Sequence, residues 1–495
     1  MILFFTGMAM LVLGYFTYGK LVEKIIGPDG RETPCKTKFD GVDYVELPHW
    51  KNMLIQLLNI AGVGPVIGVI IGIKFGEIVF LIIPIGNIIA GATHDFFAGM
   101  MSIRGGGANL PVIIRENLGK NYFKFFSAFT AFLLLLCVTV FINVPADLAS
   151  DLAEKASGWG NMFWVVVCAI FIYYALATLF PVDKIIGKIY PFFSALLLVG
   201  TFAIFAAIVY NLTKNPDLLS ESAAFKAKMW TAENSHPIIP LLFVTIACGI
   251  ISGFHGTQSP IIARTMASER QARSSFYGMM VLEGAIGMIW AAGGLAIYNL
   301  FPETMSIKPT DVLVKITNHF LGGYMGAITV LGVIILAITS GDTAMRSLRL
   351  SVAEILKIDQ KPVIKRLLTT LPFMAVIALL LLWSNTSAKS FNSLWNYFAW
   401  GNQVLAASTL LAGAVWLLRR GKAPIIALVP GMFMTFIVLS YILWISPAHG
   451  GPVGCGLELN ASYFIAGALT VFLAAVAWRR GLKMRGNSET DLAEK

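Results

Sequence analysis

Charge is scarce in this 495-residue chain: only 13% of its residues are Asp, Glu, Lys or Arg, about half the share of an ordinary soluble domain. With 57% of residues hydrophobic, water is not its only solvent. Cysteine is sparse too. Cys35, Cys137, Cys168, Cys248 and Cys455 form no C-x-x-C pair, which excludes a disulfide framework or a structural zinc centre as the organising feature. No G-x-x-x-x-G-K-S/T, H-E-x-x-H or G-x-S-x-G occurs, and Gly62-x-Gly64 lacks both the preceding strand and the third glycine of a dinucleotide fingerprint. ATP-driven transport and an enzyme reading therefore find no support, and no cofactor is called for. The net charge of +10 raises nucleic acid as a partner, but Lys and Arg are scattered over short loops without a basic strip, and the reading is rejected. No basic n-region precedes the apolar run 1–18, which argues against a cleaved signal peptide.

What is present is a series of apolar blocks of about 20 residues, long enough to cross a hydrocarbon layer as helices. They show no two-residue alternation, which argues against a β-barrel. The expected spans are thirteen: 2–18, 52–73, 78–103, 122–144, 161–181, 188–211, 237–262, 277–299, 319–341, 363–383, 391–418, 423–445 and 457–478. Basic residues test the count, because they gather on the cytoplasmic side. The connections after spans 1, 3, 5, 7, 9 and 11, with the C-terminal tail, hold 29 of the 37 Lys and Arg residues, and the other side holds eight. This places the N-terminus outside and the C-terminus inside. Residues 342–358, with Arg346, Arg349, Glu354 and Lys357 among leucines, read as an amphipathic helix on the cytoplasmic surface. The stretch 104–119, with Gly105-Gly106-Gly107 and a short helical pattern, reads similarly.

Two spans carry Gly/Pro-rich interruptions. Span 2 contains Ala61-Gly62-Val63-Gly64-Pro65 and span 7 runs from Gly249 through Ser252, Gly253, His255, Gln258 and Ser259 to Pro260. Proline lacks an N–H and clashes with the carbonyl four residues back, so the helices are expected to break near 61–65 and between 249 and 260, with Pro260 freeing the carbonyl of Gly256. Lipid offers no hydrogen bonds, and unwound backbone at membrane depth is tolerated where it is buried or lines a cavity. Freed carbonyls and half-helix N-termini then serve as ligands. Gly62, Val63, Gly64, Pro65, Ser252, Gly253, His255, Gln258 and Ser259 are accordingly the candidate substrate-binding residues. The breaks lie five spans apart, so spans 2–6 and 7–11 have opposite orientation, the pattern of an inverted repeat. The units expected are 1–51 (an extra helix and loop), 52–211 (first repeat), 212–418 (second repeat) and 419–495 (two helices and a tail).

Ionisable groups inside apolar spans are functional candidates because burying them is costly. His94 and Asp95 lie in span 3, and either a packing hydrogen bond or proton coupling fits them. His255 stands in the second break, where a neutral imidazole donates, accepts or takes a proton near neutral pH. Glu283 in span 8 must be paired with a cation, with Arg264 as the bland choice, or protonated. Thr339, Ser340 and Asp342 at the end of span 9 combine hydroxyls and a carboxylate, which suits a hard cation or a proton; Asp342 alternatively caps the surface helix.

The chain resembles the carbon starvation protein A (CstA) family of bacterial transporters. The matching stretches are 40–45, 60–68, 91–104, 247–264 with its Ser-Gly-Phe-His-Gly-Thr-Gln-Ser-Pro core, 282–291, 338–349 and 395–407. The resemblance implies uptake of short peptides or proton-coupled uptake of pyruvate across the bacterial inner membrane. It also implies the amino acid/polyamine/organocation superfamily, with an all-α LeuT-like core of five plus five inverted helices in which helices 2 and 7 are discontinuous. In such transporters a cation site often joins the first broken helix to hydroxyls of the second repeat; here that implies Ala61, Thr339 and Ser340, should sodium be the coupling ion. The expected partners are a small-molecule substrate and the lipid bilayer, with the oligomeric state left open. Proton symport is the leading expectation; sodium coupling, or a receptor or channel that only binds the nutrient, is the alternative.

Overall fold

The computed structural model describes residues 1–158, 160, 162–178 and 182–493, and the side chains of all of these except 155–157, 182–194 and 486–493. Every regular element among them is helical. The expected ends of span 5, at 161 and 181, and residues 494–495 of the C-terminal unit lie outside the described residues.

The helices follow the apolar runs. The first run forms α1 (Ile2–Phe16), continued almost without interruption as α2 (Tyr18–Ile26). The second is split into α3 (His49–Ile60) and α4 (Gly64–Phe75), bent by 57°. Then come α5 (Val79–Arg104), α6 (Leu110–Leu118), α7 (Lys120–Ser157), α8 (Phe163–Ala177) and α9 (Val182–Lys214). The seventh run is a series of short turns that ends in α10 (Ala247–Ile250) and resumes as α11 (Gly253–Ala263). The remainder is α12 (Glu269–Leu300), α13 (Pro309–Leu356), α14 (Val363–Ser384), α15 (Ala388–Leu418), α16 (Ile425–Trp444) and α17 (Leu459–Ala493). Among the described residues ten helices are long and apolar enough to cross a membrane, or up to eleven if the bent pair is one span. This is a multi-pass membrane protein.

Burial sorts the helices into centre and rim. In the most apolar stretches of α12 and α15, 89% and 94% of residues are buried, against 28% for α1–α2 and for α17. The rim helices instead present large apolar side chains outward, among them Phe464, Phe472, Phe202 and Leu379, as lipid-facing surfaces do. Helix α13 runs along α7 and α9, and α9 also packs on α3.

Four expectations about loops and breaks are corrected. Residues 342–358 are not a separate surface helix: α13 runs unbroken through them to Leu356, with its one non-helical residue at Gly322. Arg346 and Arg349 are both 0% exposed, because Ala177, Thr178 and the 40–46 loop close over them. The Arg346 guanidinium donates to the Ala177 carbonyl and lies 3.8 Å from Asp43. The short helix α6 is likewise packed inside, with Leu110, Pro111, Val112, Ile113 and Ile114 buried. Asp342 lies within α13 and caps nothing. Finally, Pro260 does not break its helix but sits inside α11. The chain unwinds earlier, where Ile251 (φ −163°, ψ 133°) and Ser252 (φ −134°, ψ 125°) are extended. A proline inside a helix costs about 3 kcal/mol or more, yet α11 carries Pro260 without breaking; at the start of the helix Gly253 is pressed so close to α15 that a Cβ there would collide with the Asn402 carbonyl oxygen.

Close approach of this kind makes a stability test. A Cβ on Gly91 would collide with the backbone oxygen of Ile250, whereas one on Gly467 meets nothing within 4 Å. Gly91→Val is expected to destabilise the protein by about 1–3 kcal/mol, the usual range for overpacking, and Gly467→Ala to leave the thermal midpoint in detergent unchanged.

Candidate functional site

The two interruptions meet in the middle of the bundle. A Cβ on Gly64 would overlap the Cys248 side chain, and one on Gly68 would lie 3.0 Å from the Thr245 carbonyl oxygen. Only glycine permits this contact between α4 and the turns leading to α10. Gly62, Val63, Gly64 and Pro65 are all buried at the first break, as are Ser252, Gly253, His255, Gln258 and Ser259 at the second. Because the second break comes before Gly253, the last three belong to the first turns of α11 rather than to unwound chain. Ser259 Oγ accordingly donates to the His255 carbonyl at 3.0 Å.

Around this junction three helices bring together four ionisable side chains. His94 and Asp95 come from α5, His255 from α11 and Glu283 from α12, and none is more than 1% exposed. The Asp95 carboxylate is shared: its Oδ1 lies 2.8 Å from His94 Nδ1 and its Oδ2 lies 3.1 Å from His255 Nδ1. On the far side of the same imidazole, His255 Nε2 is 3.6 Å from Glu283 Oε2. Asn87 of α5 pins the surroundings, donating to the carbonyls of Met280 at 2.9 Å and Gly249 at 3.3 Å. The expected alternative of a Glu283–Arg264 pair is corrected: Arg264 donates instead to the Gly107 carbonyl at 2.8 Å and lies over the Tyr44 ring.

Four titratable groups within reach of one another can hold protons in more than one arrangement. With Asp95 ionised, the cluster is neutral when His255 is charged and Glu283 protonated, or when both imidazoles are charged and Glu283 is ionised. Both states hold the same number of protons, so a proton shifts along the chain without a change in buried charge. Adding or removing one leaves a net charge, which at membrane depth costs several kcal/mol unless an opposite charge accompanies it.

Thr339, Ser340 and Asp342 form a different neighbourhood, on α13 against the first break. Ser340 Oγ donates to the Leu58 carbonyl at 2.9 Å, close to Gly62 and Ala61, while Thr339 Oγ1 turns back to Leu336 of its own helix. Asp342 is fully buried, on the Tyr174 side. Among the described residues no group of three or more His, Cys, Asp or Glu side chains could hold a metal ion.

Several uncharged side chains at the junction have no counterpart among the sequence candidates. Gln56 and Asn59 on α3 are 0% exposed, and among the described residues neither amide has a hydrogen-bond partner for its nitrogen or its oxygen. Such orphaned groups cost about 1–3 kcal/mol each. Spacing was the available signal, since Asn52, Gln56 and Asn59 recur at helical intervals on one face. A cavity of about 360 Å³ opens from the end of the bundle opposite the Lys/Arg-rich end, reaching Ile67 and Ile71 of α4 between Asn143, Asp147, Lys308 and Trp395.

Residues 1–171, 154–302 and 303–441 match the family described as Carbon starvation protein CstA. A membrane protein of Haemophilus influenzae, itself uncharacterized, is 41% identical over 340 residues, covering 60% of this chain and 91% of that protein. The pyruvate/proton symporter BtsT of Escherichia coli is 26% identical over 352 residues, 59% of this chain and 48% of its own. The peptide transporter CstA of Campylobacter jejuni is 25% identical, over 56% of this chain and 47% of its own. The chain thus spans about half the length of those two named transporters. Among solved structures, a manganese transporter of Eremococcus coleocola shares the fold with a TM-score of 0.56 at 14% identity, over 90% of this chain and 98% of that one. MhsT in complex with L-phenylalanine shares it with a TM-score of 0.55 at 13% identity, over 90% and 100%.

The shared carboxylate sets the order of stabilities expected among variants. Asp95→Ala leaves two buried imidazoles without their acceptor and is expected to cost about 3–5 kcal/mol. Glu283→Gln, which replaces a buried carboxyl whose one close contact is 3.6 Å from His255 by a neutral amide of the same shape, is expected to cost clearly less than Asp95→Ala. Thermal unfolding in detergent compares them; equal losses would contradict the central place given to Asp95.

Proposed function

The chain belongs to the carbon starvation protein CstA family, and from that premise we propose that it is a secondary active transporter importing short peptides or pyruvate by proton symport. The observation that carries the reading is the buried chain His94–Asp95–His255–Glu283 beside two touching helix breaks. A small carboxylate brought to the breaks supplies the negative charge that offsets an extra proton on the cluster, so the two cross together as a neutral set. Gly62, Val63, Gly64 and Pro65 with Ser252, Gly253, His255, Gln258 and Ser259 form the substrate site, and His94, Asp95 and Glu283 exchange the proton.

The proposed architecture has thirteen spans. The ten long helices are joined by the bent pair α3–α4, by α8 and by the interrupted run that ends in α11. Residues 52–211 and 212–418 form the two inverted five-helix repeats, 1–51 precede them and 419–495 follow. The distribution of basic residues supports an N-terminus outside and a C-terminus in the cytoplasm of a bacterial inner membrane. In that orientation the cavity lined by Asn143, Asp147 and Trp395 faces outward and leads substrate to α4.

Sodium coupling is the second reading, favoured by Ser340 beside the carbonyls that end α3. There Ala61 and Ser340, with Thr339, would ligate the ion, and Asp342 would supply charge.

Proteoliposomes separate these readings. An inward proton gradient is expected to drive accumulation of pyruvate or of a di- or tripeptide, with no requirement for sodium. His255→Ala and Gln258→Ala are expected to lower that uptake at least tenfold with membrane insertion unchanged, and Glu283→Gln to abolish the stimulation by the gradient. Uptake that ignores the gradient but requires sodium would move the coupling to Ser340.

A further inference from the structure

The half-helices α3 and α11 lie against each other and run in opposite directions. Their register is fixed at both ends. At the Lys/Arg-rich end, Asn52 Nδ2 donates to the Thr265 carbonyl at 3.1 Å and Asn52 Oδ1 accepts from Thr265 Oγ1 at 2.7 Å. At the other end the Ile60 carbonyl faces the His255 ring. Between these ties α3 turns one polar face, Asn52, Gln56 and Asn59, and α11 contributes Gln258, whose Oε1 is without a partner. All four are 0% exposed. An amide both donates and accepts, and it carries no charge that would trap a proton. Apolar side chains would pack such a seam between helices without leaving polar atoms unpaired.

We propose that the Asn52–Gln56–Asn59 face of α3 holds a file of water molecules against α11, through which protons pass between the cytoplasm and the Asp95–His255 cluster. The inference rests on the proton-symport reading and on its orientation, and it assigns Gln56 and Asn59 a role separate from substrate contact. The ionisable groups at the inner end of the file are His255 of α11, His94 and Asp95 of α5, Glu283 of α12, and Cys248 of α10, which lies within electrostatic reach of Glu283. At the cytoplasmic end stand His49 of α3, held by Ser274 at 3.0 Å, Lys51 next to Asn52 and Arg264 next to Thr265.

The test uses the full chain in proteoliposomes loaded with a pH-sensitive dye, with pyruvate and dialanine as probes. Gln56→Leu with Asn59→Leu replaces unpaired amides by apolar groups of similar size, so its thermal midpoint is expected at or above that of the parent. Its counterflow exchange of labelled probe is expected within twofold of the parent, while gradient-driven accumulation and the accompanying lumenal acidification fall at least tenfold. Gln56→Asn with Asn59→Gln, which keeps amides on the face, is expected to restore most of both. Parent-like accumulation and acidification in the leucine variant would overturn the water file. Loss of counterflow together with accumulation would overturn it too, by making the amides substrate contacts. A parent that ignores the proton gradient would instead remove the symport reading on which the inference stands.

Discussion

One carboxylate shared by two imidazoles organises the centre of this protein. Asp95 is completely buried in a molecule whose outer surface faces lipid, and a lone carboxylate there would be protonated or expelled. It is held by His94, its own neighbour in sequence, and by His255, which arrives from 160 residues away. For the second contact to form, α11 must begin at membrane depth, with its first turn aimed at α5. The interruption at Ile251–Ser252 makes that start possible, and the bare backbones of Gly64, Gly91 and Gly253 let the surrounding segments close to contact. The broken helices and the buried charge are therefore one constraint met from two sides: unwound backbone needs a polar interior, and the buried carboxylate needs donors from more than one helix.

Much of this was legible in the sequence because it depends on composition and on length. Scarce charge and apolar blocks of about 20 residues identified a helical membrane protein, and Ala61–Pro65 marked the bend between α3 and α4 at its place. His94, Asp95, His255 and Glu283 stood out singly as ionisable residues in apolar runs. Their convergence was not legible, since it depends on the packing of α5, α11 and α12, which no spacing within one segment encodes. Pro260 points to a break that the helix does not have, and the chain unwinds instead at Ile251–Ser252, just before the close contact of Gly253 with α15. Arg346 and Arg349 looked like a solvated face because the sequence gives no sign that the 40–46 loop and the end of α8 cover them. Gln56 and Asn59 passed unnoticed for the opposite reason. Uncharged amides in a span raise no alarm until their lack of partners is seen.

The two ends of the bundle differ in a way that bears on how such a centre is reached. From one end a cavity of about 360 Å³ descends to Ile67 and Ile71. At the other, Arg264 holds the Gly107 carbonyl, Tyr44 covers Arg264, and Asp43 approaches Arg346. A cavity of about 360 Å³ thus approaches the centre from one side, and on the other the closure formed by Asp43, Tyr44 and Arg264 lines a smaller hollow of about 220 Å³.

Helix α13 ties that closure to the centre. Ser340 anchors it to the Leu58 carbonyl at the end of α3, and six residues on, about 9 Å along a helix, Arg346 anchors it to Asp43 in the loop that leads into α3. Both contacts join α13 to one segment, the 40–46 loop with the half-helix α3, which a 57° bend separates from α4. Any motion that carries α3 away from α13 must break both, and because α3 also packs along α11, it opens the polar seam leading to His255. Centre and surface are thus joined through α13 by one hydrogen bond, from Ser340, and one 3.8 Å ion pair, from Arg346.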